Sequence, residues 1–341
     1  MKAQRSCFWE LKDRDGAEPY FINQKTGERQ EADIAYLRSG SVIYTPEEVE
    51  RHRRYKEMLK EREEREKAAK QTREYNSRQS FYYALSRDRR ADGLKPQTLA
   101  RLFFAATFLR YDDDRLYLQD GSLMDKDGLA KLMRLGSSTF KSFWTEVDGK
   151  YIFTLDDSSL KMTGEFFRGS LTRRIKLDKQ KNEYQQIFVS TLRELYWQIE
   201  PKKHRYLGYM LMILNKVSWE YNILCKNPDE TDRSKIETMD LDDFCRSMGS
   251  TGHTENQRQR LLDAFRKLRF SINNTEQFFC AYLEDHVSGR YYLVVNPNVI
   301  YRGSDRSKVD GFGTFFPNLL DTIRPKSSGK NAVTAEDIRG L

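Results

Sequence analysis

Hydrophobic positions change spacing along the chain, and each change marks a different kind of element. Residues 8–29 (FWELKDRDGAEPYFINQKTGER) alternate aromatic and polar positions around turn signals at Asp15-Gly16 and Thr26-Gly27. That period of two predicts a small twisted β-hairpin within 1–44. At Thr45-Pro46-Glu47-Glu48 a capping residue, a proline at the first helical position and two acids at the positive end of the dipole predict a long helix over 45–78. Glu50/Arg54, Glu61/Arg65 and Glu66/Lys70 lie four residues apart along it, while only Val49, Met58, Leu59 and Ala68 offer an apolar seam. A solvated spacer and an arm lying along nucleic acid or a partner both fit that pattern.

Beyond a polar linker at 79–95 the apolar positions fall at helical spacing. Residues Pro96 to Arg110 predict a buried helix, 126–135 and 137–147 two shorter helices about Gly136, and 150–162 a hairpin turning at Asp156-Asp157. A basic linker and amphipathic helix occupy 171–203, with the helix over 182–199 and an inner face of Tyr184, Ile187, Phe188, Leu192, Leu195, Tyr196 and Ile199. Residues 204–303 predict helices at 205–224, 240–248 and 254–268, a turn at Gly249–Gly252, and strands near 276–283 and 290–295; the tail, 304–341, has little pattern. The chain reads as mainly α with small β-hairpins, an α+β class.

The informative feature is a repeat. Both 96–170 and 204–303 run from a long apolar helix through two short helices and a hairpin to an aromatic-Arg-Gly step. Met124-Asp125 aligns with Met239-Asp240, Leu129-Ala130-Lys131 with Phe244-Cys245-Arg246, Met133 with Met248, and Phe167-Arg168-Gly169 with Tyr301-Arg302-Gly303. This order predicts two winged helix-turn-helix domains. In such a unit the second short helix enters the DNA major groove and the hairpin reaches phosphates. In the second copy Thr254 and Gln257 form a capping box, and Asn256, Gln257, Arg258 and Arg260 are suited to adenine or guanine edges. In the first copy Ser137 or Ser138 is the predicted cap, with Ser138, Thr139, Lys141 and Ser142 facing outward.

The stretch Ser288-Gly289-Arg290-Tyr291-Tyr292-Leu293-Val294-Val295-Asn296-Pro297-Asn298-Val299-Ile300-Tyr301-Arg302-Gly303 resembles the wing strand and "(I/V)NP…(Y/F)xG" ending of winged-helix replication proteins and regulators from plasmids and phages of Gram-positive bacteria. The resemblance covers 204–303 well and 96–170 weakly. It implies DNA binding at an origin or operator through the 254–260 helix and the 283–291 wing, with Arg290 as the wing phosphate contact. Near the N-terminus, Trp9, Tyr20-Phe21 and Thr26-Gly27-Glu28 resemble the first half of a WW domain, but the second Trp and final Pro of that family are missing.

Composition narrows the function further. The 341 residues are 32% charged and hold no run of the 18 apolar residues a membrane span needs, so no membrane role is expected. The N-terminal residues carry no apolar run behind their basic positions, which predicts no secretory signal and a cytoplasmic location. A net charge of +8 favours a polyanionic partner, and the excess sits in 46–95 (15 basic, 11 acidic) and 171–203 (8 basic, 4 acidic). Arg173, Arg174 and Lys176 would follow phosphates between the two modules. Neither Cys7, Cys225, Cys245 and Cys280 nor His52, His204, His253 and His286 have metal-site spacing, and no phosphate-binding loop or nucleophile elbow occurs. No catalytic residue, metal or cofactor is therefore expected. The leading expectation is a non-enzymatic, sequence-specific double-stranded DNA-binding protein of phage or mobile-element type, acting in replication initiation at an origin, with replication or transcription machinery as further partners and a homodimer left open. A transcriptional regulator at an operator and a protein-interaction scaffold are the alternatives.

Overall fold

The computed structural model describes residues 46–172 and 183–247 without a break, together with 9–12, 20–23, 29–31, 35–37, 42–44, 174, 256, 260, 263–265, 267–272, 274–285, 290–303, 305–310 and 316. The chain is mixed α and β with small antiparallel sheets, and it divides into two compact units, Met1–Lys67 and Ala68–Leu341.

In the first unit β1 (Trp9–Lys12), β2 (Tyr20–Asn23) and β3 (Arg29–Glu31) form a three-stranded antiparallel sheet in the order β1-β2-β3. The predicted hairpin therefore gains a third strand, in which Glu31 lies opposite Tyr20. Strands β4 (Ala35–Leu37) and β5 (Val42–Tyr44) make a separate hairpin. Helix α1 spans Pro46–Arg78 as its start signal predicts. Residues 53–67 of it are almost wholly exposed, and the expected i,i+4 pairs Glu50–Arg54 and Glu61–Arg65 form at 3.0 and 3.5 Å. Exposed pairs of this kind contribute little to stability.

The second unit holds two halves that share a common order of elements, to which the second adds a helix (Val189–Gln198) and a hairpin (Arg269–Ile272 with Thr275–Phe278). The first half runs β6 (Phe81–Leu85), α2 (Pro96–Ala106), a short ladder segment at 114–117, α3 (Lys126–Met133), α4 (Ser137–Val147), β7 (Ile152–Thr154), β8 (Leu160–Met162) and β9 (Phe166–Phe167). In the second half β10 (Tyr184–Phe188) leads into α5 (Val189–Gln198), α6 (His204–Met212), a ladder segment at 222–225 and α7 (Leu241–Ser247). Helical backbone at 256, 260 and 263–265 comes next, followed by β11 (Arg269–Ile272), β12 (Thr275–Phe278), β13 (Cys280–Asp285), β14 (Arg290–Val295) and β15 (Ile300–Tyr301).

The halves agree bond by bond. Leu116 N donates to Leu160 O as Leu224 N donates to Leu293 O, at 2.9 and 2.8 Å. Met124 N donates to Leu116 O and Met239 N to Leu224 O, both at 2.9 Å. Met162 N reaches Asp114 O at 2.8 Å and Val295 N reaches Asn222 O at 2.9 Å. Asp125 caps α3 by accepting from Gly128 N, and Asp240 accepts from Asp243 N at the same 2.7 Å. These bonds put the ladder segment of each half beside the second strand of its hairpin, β8 or β14. The Met-Asp alignment seen in the sequence is thus a structural equivalence.

Four expectations need correction. The 79–95 stretch is not only a linker, because it holds β6; and 182–199 is not one helix, because β10 precedes α5. Strands β10 and β6 pair at the centre of a four-stranded antiparallel sheet of order β15-β10-β6-β9, with Tyr83 opposite Gln186. Residues Tyr82 to Ala84 and Tyr184, Gln185, Ile187 and Phe188 are all buried, so neither run shows the alternation that marks a half-exposed strand. The predicted helix over 205–224 ends at Met212, since Leu214–Lys216 tightens to a 3-10 turn and Asn222, at φ 53°, turns the chain into the ladder. The two halves are not spaced apart. The larger of two apolar clusters spans both halves, from Leu99, Phe103 and Phe104 on α2 through Leu192 and Tyr196 on α5 to Leu207 and Leu211 on α6.

Candidate nucleic-acid interface

Helix α4 has two chemically distinct faces because SSTFKSFWTEV places its apolar residues three and four apart. Phe140, Phe143, Trp144 and Val147 are buried, while Ser137, Ser138, Thr139, Lys141, Ser142 and Thr145 are exposed. Trp144 is fixed by a 2.9 Å bond from Nε1 to Asp148 and by Lys126 Nζ 4.7 Å from its ring. The predicted serine cap is corrected: the helix begins at Ser137, its N-cap is Gly136, and no side chain caps it. Its first-turn N–H groups, which carry the positive end of the dipole, therefore face outward beside three hydroxyl residues. Lys126 and Lys131 on α3, Arg134 just after it and Lys150 just after α4 are exposed. The one acid within α4, Glu146, is tied to Lys95 Nζ at 2.7 Å. Partial burial pushes its carboxyl upward, but the hydrogen bonds from Lys95 and Thr98 outweigh that and hold it below its ordinary value.

The adjoining hairpin β7–β8 has the opposite charge. Its tip carries exposed Asp156 and Asp157, with Asp157 paired to Arg115 at 3.0 Å, and Asp114 meets Lys161 at 2.9 Å behind it. Hydrogen bonds from Ser159 hold the Asp157 carboxyl below its usual range. The exposed charge at the tip of this hairpin is therefore acidic.

In the second half Asn256 and Arg260 are helical and exposed, four residues apart and so on one face. Thr254, Gln257 and Arg258 lie outside the described residues, as do Arg173 and Lys176. Arg290 opens β14 opposite Asp285. The hairpin β13–β14 has six residues in each strand, against three in β7 and β8.

Arg174, expected to follow phosphates, is part of a local contact. Its guanidinium donates to Gly164 O at 2.8 Å and lies 5.5 Å over Phe167, filling the place where a side chain at 164 would stand.

The motif that carried the family resemblance is a buried joint. Asn296 accepts from Asn298 N at 2.8 Å and donates to Phe278 O at 2.7 Å and Gln277 Oε1 at 3.1 Å. Thr191 Oγ1 on α5 donates to Asn298 O at 2.7 Å, and Arg306 donates to Pro297 O at 3.0 Å. The aromatic-Arg-Gly steps are joints as well. Arg168 donates to Leu109 O and Ser80 Oγ, and its counterpart Arg302 stacks 3.4 Å above Trp219. Sequence reasoning located these motifs but missed this role, which only their burial reveals.

Among the described residues no helix is long and apolar enough to cross a membrane, and no group of three or more His, Cys, Asp or Glu stands close enough to hold a metal ion. Burial pushes the thiols of Cys225 and Cys280 up to about 12, so neither is a nucleophile at neutral pH. No protein-family model, curated protein or solved structure matches the chain.

Proposed function

We propose that the chain is a non-enzymatic, cytoplasmic, sequence-specific double-stranded DNA-binding protein built on two winged helix-turn-helix halves, acting at the replication origin of a phage or mobile element. One observation carries this reading. Both halves carry a helix, a ladder strand, a second helix, further helical backbone and a hairpin, with β11–β12 added in the second, and polar residues are exposed on α4 and at Asn256 and Arg260. A helix about 10 Å across fits the major groove, where Ser, Thr and Lys from α4 and Asn256 and Arg260 from the second half can meet base edges. Arg290 on the longer second hairpin would meet phosphate. The acidic first hairpin limits that half to its helix. A regulator at an operator would use the same contacts.

Fluorescence anisotropy on a duplex selected from random sequence tests the reading. Lys141→Ala and Arg260→Ala alter exposed residues and should leave the circular dichroism spectrum unchanged while weakening binding about 5- to 100-fold each, as expected for lost base contacts. Affinity should also fall steeply with salt. Weak binding that is indifferent to sequence and to both substitutions would overturn it. A second reading, a protein-interaction scaffold, is favoured by the exposed Phe153, Leu123 and Tyr111 on the acidic first half. It predicts that both variants keep full partner binding.

A further inference from the structure

We infer that a single copy of this chain reads an imperfect inverted repeat, two dissimilar half-sites of opposite orientation on one duplex. The inference rests on the DNA-binding reading above and adds to it the symmetry of the substrate.

The central sheet fixes the relation between the halves. Strands β6 and β10 are equivalent, since each begins its half and each takes the closing strand of that half as its outer neighbour. On β6, Tyr83 pairs with Phe167 and Ala84 with Phe166; on β10, Gln186 pairs with Tyr301 and Ile187 with Ile300. Tyr83 therefore corresponds to Gln186, and Phe166-Phe167 to Ile300-Tyr301. Yet β6 and β10 are also hydrogen-bonded to one another, antiparallel, and the pair in register is Tyr83 with Gln186 itself. The flanking pairs exchange: Tyr82 faces Ile187, and its counterpart Gln185 faces Ala84. Two equivalent strands running in opposite directions cannot be related by a translation along the chain's repeat. Only a local two-fold axis, passing between Tyr83 and Gln186, interchanges them.

Helices α2 and α6, each of which precedes the ladder segment of its half, pack on each other beside the sheet, so closely that a Cβ at Gly208 would meet the Pro96 carbonyl. Both halves share one core, so the axis is built into the folded chain and needs no second copy. The strands of a duplex are antiparallel. Two reading helices related by a two-fold therefore meet the same base order in opposite orientation, and operator symmetry mirrors protein symmetry.

The half-sites are nonetheless unlike. Helix α4 offers Ser138, Thr139 and Lys141, whereas the second half offers Asn256, suited to adenine, and Arg260, suited to guanine. The second hairpin also extends about 10 Å further, at ~3.3 Å per residue over its longer strands.

Selection from random duplex DNA with the purified full chain, followed by native mass spectrometry of the winning complex, tests this. The expected result is two dissimilar half-sites in inverted orientation, with one chain per duplex. Lys141→Ala should relax sequence preference in one half-site only, and Arg260→Ala in the other only. Reversing one half-site within the winning duplex should weaken binding by about 30-fold or more. A direct repeat, a single uninterrupted half-site, or an inverted repeat occupied by two chains would overturn the inference while leaving DNA binding intact. Failure to enrich any motif would overturn the DNA-binding reading and this one with it.

Discussion

Asn296 shows why a motif can be legible without its purpose. Its spacing to Tyr301-Arg302-Gly303 stands out in the sequence, yet its fully buried amide serves Gln277, Phe278 and Asn298 rather than a ligand. Asn296→Ala would strand several buried polar groups, so it should destabilise the fold by about 2–4 kcal/mol, measured by urea denaturation. His204 was equally visible but mute, because nothing in its neighbours announces burial. It is 1% exposed, stacks on Tyr196 with ring centres 4.1 Å apart, and places Nε2 3.1 Å from Tyr196 O. Burial, assisted by the Arg101 charge, lowers its pKa from 6.5 to about 4, against the opposing pull of the Tyr196 and Ile199 carbonyls. The unfolded chain therefore takes up a proton at higher pH than the folded one. The stability that neutral His204 contributes is present in full above pH 6.5 and is lost as the pH falls through 4, by up to about 3 kcal/mol. Urea midpoints should fall between pH 6.5 and 5, and His204→Gln should flatten that slope; a wild type indifferent to pH in this window would refute the account.

At the scale of elements, boundaries set by local chemistry were legible and those set by tertiary partners were not. Thr45-Pro46-Glu47-Glu48 located the start of α1, and the spacing of Phe140, Phe143, Trp144 and Val147 located α4. Strands β6 and β10 escaped because sheet neighbours on both sides bury them, leaving aromatic runs that also suit a helix. The outward face of α4 could be read from its period, whereas the open Gly136 cap could not, since Ser137 and Ser138 compete for that role in sequence. Helices α2 and α6 meet at a position no periodicity exposes. A Cβ at Gly208 would stand 1.8 Å from the Pro96 carbonyl oxygen, a backbone atom that cannot swing aside. Gly208→Ala must push the helices apart and should destabilise the fold by about 3 kcal/mol, seen as a lower thermal midpoint. An unchanged midpoint would show that the crossing is looser than its geometry.

At the scale of the whole molecule the sequence announced two modules but not their fusion. The repeat was readable from Met124-Asp125 and Met239-Asp240, whereas the sharing of one core depends on β6 and β10, which gave no strand signal. Because Leu99 to Phe104 of the first half and Leu207 and Leu211 of the second bury one another, the residues of 68–341 should unfold in one cooperative step. Hydrogen exchange offers the check: amides of β6 and β10 should open with one common free energy, and two distinct values would mean two independent domains. The antiparallel pairing of β6 with β10 has one more consequence. It makes the contact between the halves a subunit interface in all but connectivity, with the chain's own peptide bonds standing in for association. Cut between 175 and 182, the chain should yield two polypeptides whose parts of the second unit are each largely unstructured alone. Mixed together, they should recover the native spectrum as a heterodimer, with a concentration-dependent midpoint that the intact chain never shows.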